Sequence, residues 1–227
     1  MSKSDIPASP SHKDYTDNPV YAAQLKANAA PIFDLDNPYD LFSAWLAEAK
    51  AGEPNDANAM SLATVDKGGL PDVRMVLLKG VDERGFIFYS HSKSAKGLQL
   101  ADCPKAALNF HWKSLRRQVR IRGSVEKVTK AEVSAYFATR ARDSRIGAWA
   151  SQQSSPMENR AEFESVLDKI KSKFKGVSVP LPPGWAGWRV QPTQIEFWRD
   201  RPFRLHDRLQ FTRKSLSEEW TKSRLYP

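Results

Sequence analysis

The sequence predicts a mainly β protein with helices (α+β), its antiparallel strands curled into a small barrel with helical decoration. Two observations carry this. Six or more short apolar or alternating runs follow one another in hairpin order. Turn chemistry separates them, as at Asp66-Lys67-Gly68-Gly69 and Asp82-Glu83-Arg84-Gly85, while helical periods interrupt the series at a few places.

Residues 1–36 are rich in Pro, Asp, Asn, Ala and Ser and read as a flexible extension, with a piece from Tyr15 or Tyr21 to Leu25 able to order against the body. One domain is expected over 37–227. Pro38 suits a first helical position, and Leu41, Phe42, Trp45, Leu46 and Ala49 form the stripe of a helix that ends near Gly52. Met60–Val65, Asp72–Val81 and Phe86–Ser90 read as strands, followed by a short helix over Ser94–Ala101. Ala106–Trp112 and Arg116–Val128 are strands, the second alternating Val119 and Ile121 with Arg120 and Arg122. Thr129 and Glu132 form a capping box for a helix from Lys130 to about Arg140. Further helices are expected over Ser144–Ser151 and Met157–Phe174, the latter with Phe163, Val166, Leu167, Ile170 and Phe174 at helical spacing. After a rigid loop at Pro180-Leu181-Pro182-Pro183-Gly184, the chain finishes in strands over Gly187–Gln191, Gln194–Arg199, Leu209–Arg213 and Glu219–Leu225.

Composition narrows the function. With 227 residues and 41% hydrophobic content the chain is long enough for a sizeable core. The single cysteine, Cys103, excludes an internal disulfide and a cysteine-based zinc cluster. No run of about 18 apolar residues predicts a membrane span. The first residues lack the apolar centre of a secretion signal, so a cytoplasmic protein is expected. The net charge of +9 suits nucleic acid, an anionic membrane or small phosphorylated ligands. Nucleic-acid signatures are lacking, and so are G-x-G-x-x-G, Walker, C-x-x-C, H-E-x-x-H and Gly-x-Ser-x-Gly motifs. Small anionic ligands are therefore favoured at least as much as a polymer.

Four patterns carry candidate chemistry. If Ile195–Arg208 is extended, Arg204, His206 and Arg208 share one face, joining two anion-gripping forks to a group that exchanges protons near neutrality. An exposed basic strand with a surface histidine fits the same pattern. Arg74 and Lys79 flank Met75, Val76, Leu77 and Leu78, and their odd separation aims them at different parts of a ligand unless a bulge intervenes. Snorkelling at the strand ends is the plainer alternative. Tyr136, Arg140 and Ser144 are spaced by four and, on a continuous helix, make a stripe fit for a phosphate or simply a solvated face. Ser94-Ala95-Lys96 opens a helix whose free N–H groups suit a phosphate. Gln118 shares a face with Arg120 and Arg122 that a partner subunit would cover.

Together these residues resemble the pyridoxine/pyridoxamine 5′-phosphate oxidase family, over roughly Asn37 to Pro227. The most specific block is Glu196-Phe197-Trp198 followed by Arg204-Leu205-His206-Asp207-Arg208. Arg74–Lys79, Arg117-Gln118-Val119, the run Arg142–Trp149 and Gln152-Gln153-Ser154-Ser155 add to it. The resemblance implies an FMN-binding split β-barrel, homodimeric, with FMN in two clefts at the subunit interface. It implies FMN contacts from Arg74 through Met75, Val76, Leu77 and Leu78 to Lys79, and from Tyr89, Ser90, Lys96, Gln118, Gln153, Ser154, Trp198 and Arg208. Lys79, Tyr136, Arg140 and Ser144 match positions that hold the substrate phosphate, and Arg204 and His206 those that close over the pyridine ring and serve catalysis. Ala95, His91 and Arg199 depart from the family's usual residues. The implied reaction oxidises pyridoxamine or pyridoxine 5′-phosphate to pyridoxal 5′-phosphate, with O2 as acceptor and H2O2 as product. A related flavin oxidase of another aromatic substrate, of the phenazine-pathway type, is the alternative, as is a basic nucleic-acid-binding barrel from a different class.

Overall fold

Local chemistry starts most of the helices. In the computed structural model, which describes residues 6–227, the Asn18 side chain accepts from the Val20 and Tyr21 amides and starts α2 (Pro19–Ala27), behind the short α1 (His12–Thr16). Asn37 and Pro38 do the same for α3 (Pro38–Gly52). Strands β1 (Ala59–Val65), β2 (Pro71–Leu77), β3 (Gly80–Asp82) and β4 (Gly85–His91) follow, then α4 (Ala95–Asp102), whose N-cap Ser94 accepts from the Gly97 amide. Next come β5 (Lys105–Trp112) and β6 (Arg117–Lys127). The expected Thr129/Glu132 capping box is present at the start of α5 (Lys130–Thr139). Helices α6 (Arg142–Ala150) and α7 (Arg160–Lys173), the long β7 (Trp185–Arg199), a 3₁₀ turn (Pro202–Arg204), β8 (Asp207–Thr212) and β9 (Thr221–Arg224) complete the chain.

Among the described residues nine strands share one sheet in the order β2-β1-β5-β6-β7-β4-β3, with β8 on β7 and β9 on β8. The expected α+β antiparallel sheet is thus observed. The chain divides into two compact units. The first takes the chain up to Ala59, Asn109–Ile121 and Thr193–Pro227; the second takes Met60–Leu108 and Arg122–Pro192.

In the first unit, the apolar stripe of α3 meets aromatic strand residues. Phe42 lies edge-on to Phe110 at 5.1 Å between ring centroids, and Trp45 edge-on to Phe197 at 5.3 Å. β7 and β8 form a hairpin whose register sets Trp198 opposite Arg208. Part of the segment expected to be flexible is ordered here. Tyr21 and Ile32 are buried, and Asn28 is fixed by its amide donating to Leu115 O at 2.8 Å. The apolar surface of those two side chains offsets the entropy of ordering a polar segment.

In the second unit, β4 pairs antiparallel with β3 and with the first half of β7. Ile87, Val128 and Val133 form one core cluster, with Tyr89, Leu181 and Trp185 against it; Ile146, Phe174 and Val179 join α6 to α7 in another.

Four expectations based on regular elements are corrected. The strand expected over Asp72–Val81 is broken after Leu77, because the Lys79 amide leaves the β2 path to donate to Ile87 O on β4 at 2.8 Å. The two strands expected around Pro192 are one continuous β7. The stretch Ile195–Arg208 is not one strand: β7 ends at Arg199, Pro202 opens a 3₁₀ turn, and Phe203 and Arg204 take φ of 57° and 63°. The chain must reverse there to pair β8 with β7, so alternation along a strand does not align Arg204, His206 and Arg208. The helix expected to run through Tyr136, Arg140 and Ser144 also breaks, since Arg140 caps α5 with extended backbone and Ser144 belongs to α6.

The β4–β7 pairing leaves no room for a side chain at Gly85, where φ is +139° and a Cβ would lie 2.1 Å from Val190 O. Gly85→Ala is expected to lower unfolding stability by about 2 kcal/mol or more. Urea titration reads this directly, and an unchanged midpoint would show that the strand pair shifts freely.

Candidate active site

Six segments of the second unit converge on a cavity of about 230 Å³. β2 supplies Met75, Val76 and Leu77, and the break after it turns Lys79 to the lining. β4 supplies Tyr89 and Ser90, and the first turn of α4 supplies Lys96. Tyr136 comes from α5 and Arg140 from its C-cap; Gln153 follows α6, and Trp185 opens β7.

The described residues that line this cavity include three cations, Lys79, Lys96 and Arg140, and no carboxylate. Lys96 is 7% exposed, and its ammonium has Ser90 Oγ at 3.4 Å as its recorded partner. Burial pushes its pKa below the ordinary 10.5, and the nearby Arg74 adds to the shift. The Arg140 guanidinium lies 4.4 Å over the Trp185 ring, and its Nη1 is buried without a hydrogen-bond acceptor. Burial lowers its pKa as well. Tyr136 stacks on Tyr89 at 4.0 Å between centroids, and burial raises the pKa of both phenols, so both remain O–H donors at neutral pH. Gly187 leaves Tyr89 its place, because a Cβ there would come within 2.6 Å of the Tyr89 ring. Ser90 Oγ donates to Gln153 Oε1 at 2.8 Å, tying β4 to the segment after α6.

The other sequence candidates lie elsewhere. Arg74 does not line the cavity; it donates to Thr64 Oγ1 at 2.5 Å, Leu62 O at 3.1 Å and Gln99 Oε1 at 3.0 Å, and pairs with Asp72. Leu78 is buried at the strand break. Ser154, at φ 74°, lines a neighbouring hollow with Gln153. Ser144 is exposed on α6 and is not among the lining residues, so the expected three-residue stripe reduces to Tyr136 and Arg140.

Gln118, Trp198, Arg204, His206 and Arg208 belong to the first unit. Gln118 is half-buried on β6. The hairpin register brings Trp198 and Arg208 together, and the His206 ring sits 4.5 Å from that of Trp198. Arg208 Nε donates to Glu196 Oε1 at 2.8 Å, while Arg120 Nη1 donates to Glu196 Oε2 at 3.2 Å. His206 Nδ1 lies 3.1 Å from Asp200 Oδ1. Burial lowers the His206 pKa below its usual 6.5, opposed by Asp200 and assisted by Arg204 and Arg208. Arg204 is exposed on the turn.

Sequence reasoning missed Trp185, Glu196 as the anchor of Arg208, and Asp200. Glu196 stood inside the most specific block, so its pairing with a cation was within reach. Trp185 and Asp200 carried no spacing signal.

A buried ammonium with no carboxylate in ion-pair contact, Asp72 acting on it only at longer range, makes opposite predictions for stability and for binding. Lys96→Met is expected to raise the thermal midpoint of the ligand-free protein and to abolish stabilisation by added inorganic phosphate. The folded pKa of Lys96 lies below its unfolded value, so between the two the unfolded chain holds more protons and the ligand-free protein gains stability as pH rises. Calorimetry across alkaline pH checks both, and a lower midpoint for Lys96→Met would refute the idea of an uncompensated charge.

Residues 46–174 match the family described as pyridoxamine 5′-phosphate oxidase, and 185–227 match the pyridoxine 5′-phosphate oxidase C-terminal dimerisation region. A pyridoxine/pyridoxamine 5′-phosphate oxidase of Maricaulis maris (strain MCS10) is 60% identical over 98% of this chain and 97% of its own. One from Nitrobacter winogradskyi is 64% identical over 84% of this chain and 89% of its own. Among solved structures, PhzG from Burkholderia lata 383, in complex with tetrahydrophenazine-1-carboxylic acid, aligns with a TM-score of 0.80 at 28% identity, over 86% of this chain and 95% of that one. A pyridoxamine 5′-phosphate oxidase-related, FMN binding protein from Nostoc punctiforme shares the fold, with a TM-score of 0.68 at 19% identity, over 86% of this chain and 99% of that one. The match of both regions in order, and identity near 60% over almost the whole length, place the chain in the pyridoxine/pyridoxamine 5′-phosphate oxidase family.

Proposed function

We propose that this chain is an FMN-dependent oxidase that converts pyridoxamine or pyridoxine 5′-phosphate to pyridoxal 5′-phosphate, working as a homodimer with FMN at the interface. The observation that carries the reading is the cavity lined by Lys79, Lys96 and Arg140 without a carboxylate, in which Arg140 Nη1 is buried and unpartnered. Such a site favours a dianion, and a phosphate supplies acceptors for every free donor there. The family membership and the dimerisation region support the same reading.

The residues present fit a phosphorylated flavin. Lys96, Ser90, Gln153 and the backbone of Met75, Val76 and Leu77 would hold FMN, with Arg74 beside them; the family resemblance also assigns FMN contacts to Gln118, Trp198 and Arg208. Bound FMN supplies the two-electron acceptor that side chains lack, with O2 finally reduced to H2O2. Lys79, Tyr136 and Arg140 grip the substrate phosphate, remote from the reacting carbon, so their binding energy goes into orienting the ring. The Tyr136 hydroxyl donates to a phosphate oxygen, and its stacking on Tyr89 holds that donor still. Arg204 stabilises negative charge that develops on the ring, and neutral His206 accepts a proton or hydrogen bond from a ring substituent.

PhzG, a structure of similar fold in complex with tetrahydrophenazine-1-carboxylic acid, represents the alternative reading. The cation-rich, carboxylate-free cavity favours a phosphorylated substrate over that class. The decisive experiment is an anaerobic absorption spectrum of the FMN-loaded protein. Pyridoxamine 5′-phosphate is expected to bleach the flavin band, and unphosphorylated pyridoxamine to do so far more weakly; equal bleaching by both would favour the alternative, and none by either would end the oxidase reading. Arg140→Ala should raise KM for pyridoxamine 5′-phosphate by roughly 10–100-fold, the loss of one or two charge-assisted hydrogen bonds, with kcat little changed. Steady-state kinetics checks this, and an unaltered KM would remove Arg140 from the phosphate grip.

A further inference from the structure

The loop between β7 and β8 contains a pairing that the oxidase reading does not use. Two carboxylates lie near His206, and they are differently engaged. Asp207 is taken by Arg199 Nε at 2.8 Å and Arg201 Nε at 2.7 Å. Asp200 is left facing the imidazole, with Oδ1 3.1 Å from His206 Nδ1. Its position is fixed from elsewhere: the Asp200 amide donates to Arg116 O at 3.0 Å, and Arg116 Nη1 donates to Asp200 Oδ2 at 3.3 Å. Arg116 is itself held by Gln24 Oε1 at 2.6 Å and lies 4.6 Å over the Tyr21 ring. Tyr21 is buried and its phenol is pushed up to about 12, by burial first and then by Asp200, so it stays neutral beside that carboxylate.

A bare Nδ1 lone pair opposite a carboxylate would repel it, whereas an Nδ1–H donates to it in a charge-assisted bond. The competing contact at this nitrogen is the Arg201 amide, at a longer 3.3 Å. That amide donates to Nδ1 only in the opposite tautomer; the Asp200 carboxylate is the nearer of the two and fully charged, and on that ground the Nδ1–H form is favoured.

We propose that Asp200 is a positioning residue for His206: it keeps the proton on Nδ1 and so presents Nε2 as the lone-pair face of the ring. The proposal rests on the oxidase reading for what Nε2 does, namely to accept a proton or hydrogen bond from the substrate. The Trp198 ring limits rotation of the imidazole from one side. The charged groups acting on His206 are Asp200, which favours its protonation, and Arg204 and Arg208, which oppose it. Neutral His206 is the working form, so activity is lost as pH falls through its pKa.

The test uses the FMN-loaded protein and Asp200→Asn. In wild type, ¹⁵N-histidine NMR is expected to show His206 as the Nδ1–H tautomer; an Nε2–H tautomer overturns the proposal whatever the activity. Asp200→Asn is expected to keep its flavin and to lower kcat by roughly tenfold, below the full effect of a positioned acid/base group. It also removes the charge that favours the imidazolium, so the His206 titration and the acid limb of kcat/KM both move to lower pH. An unmoved limb with unchanged kcat overturns the role. In a His206→Asn background the further change to Asn at Asp200 should alter kcat by less than about twofold, since the two act as a unit. A full additional loss would show that Asp200 acts through the fold instead, and would overturn the proposal. Failure of the oxidase reading is seen separately: an Nδ1–H tautomer in a protein whose flavin is not bleached by pyridoxamine 5′-phosphate overturns that reading and any part for Asp200 in turnover.

Discussion

Burial of positive charge without its own counter-charge is the constraint around which this molecule is organised. An ammonium or guanidinium loses hydration when it is buried, and a protein ordinarily compensates with a carboxylate. Several other buried arginines of the described chain follow that rule, although Arg145 Nε is also buried without a hydrogen-bond partner. Buried Arg189 is met by Glu126 and Glu132, buried Arg199 by Asp207, and Arg117 by Glu48. Among the described residues Lys96 and Arg140 show no such ion pair, Asp72 acting on Lys96 only at longer range. This contrast inside one molecule is what motivates the proposal of an anionic ligand in the cavity.

The paired arginines have a different task. Arg189 joins the capping-box glutamate of α5 to β7, and the backbone amide and hydroxyl of Thr129 hold the same carboxylate well down, at about 2. That helix carries Tyr136 and ends at Arg140. The position of Tyr136 and Arg140 is therefore set by a hydrogen-bonded carboxylate that remains ionised far below neutral pH. In the first unit the same economy of parts is visible. Arg199 and Arg201 clasp Asp207 and also donate to the Ala30 and Asn28 carbonyls, so the segment after α2 and the turn bearing Arg204 and His206 are held by common side chains. Phe203, in left-handed conformation on that turn, packs on Tyr15 and His12.

Much of this was legible in the sequence because local rules dominate there. The Thr129 box, the Pro38 start and the Gly-rich turns act over three or four residues, and no tertiary contact competes with them. The strand runs at Met60–Val65, Phe86–Ser90, Ala106–Trp112 and Arg116–Val128 were found within a residue or two for the same reason, while the run from Asp72 was not, because it breaks after Leu77. The failures share one cause. Treating Tyr136–Arg140–Ser144 as a helical stripe and Arg204–His206–Arg208 as a strand face assumed that a regular period continues, and it stops at Arg140 in the one and after Arg199 in the other. Sites draw on such interruptions, because the backbone there aims side chains in directions that a regular element does not allow.

By itself the sequence determined the element types, the antiparallel α+β character and the identity of the cations, since these follow from periodicity, caps and composition. It also carried the family resemblance, through residues spread over nearly the whole chain. The tertiary structure alone decided which cations lack a partner. Lys96 and Arg74 read alike as basic residues near strands and helix ends, yet one is buried beside a serine and the other is surrounded by acceptors. The pairing of Asp200 with His206 and the stacking of Trp185 under Arg140 are likewise products of chain reversal and packing. Electrostatic compensation depends on distance in space, and sequence separation does not encode it.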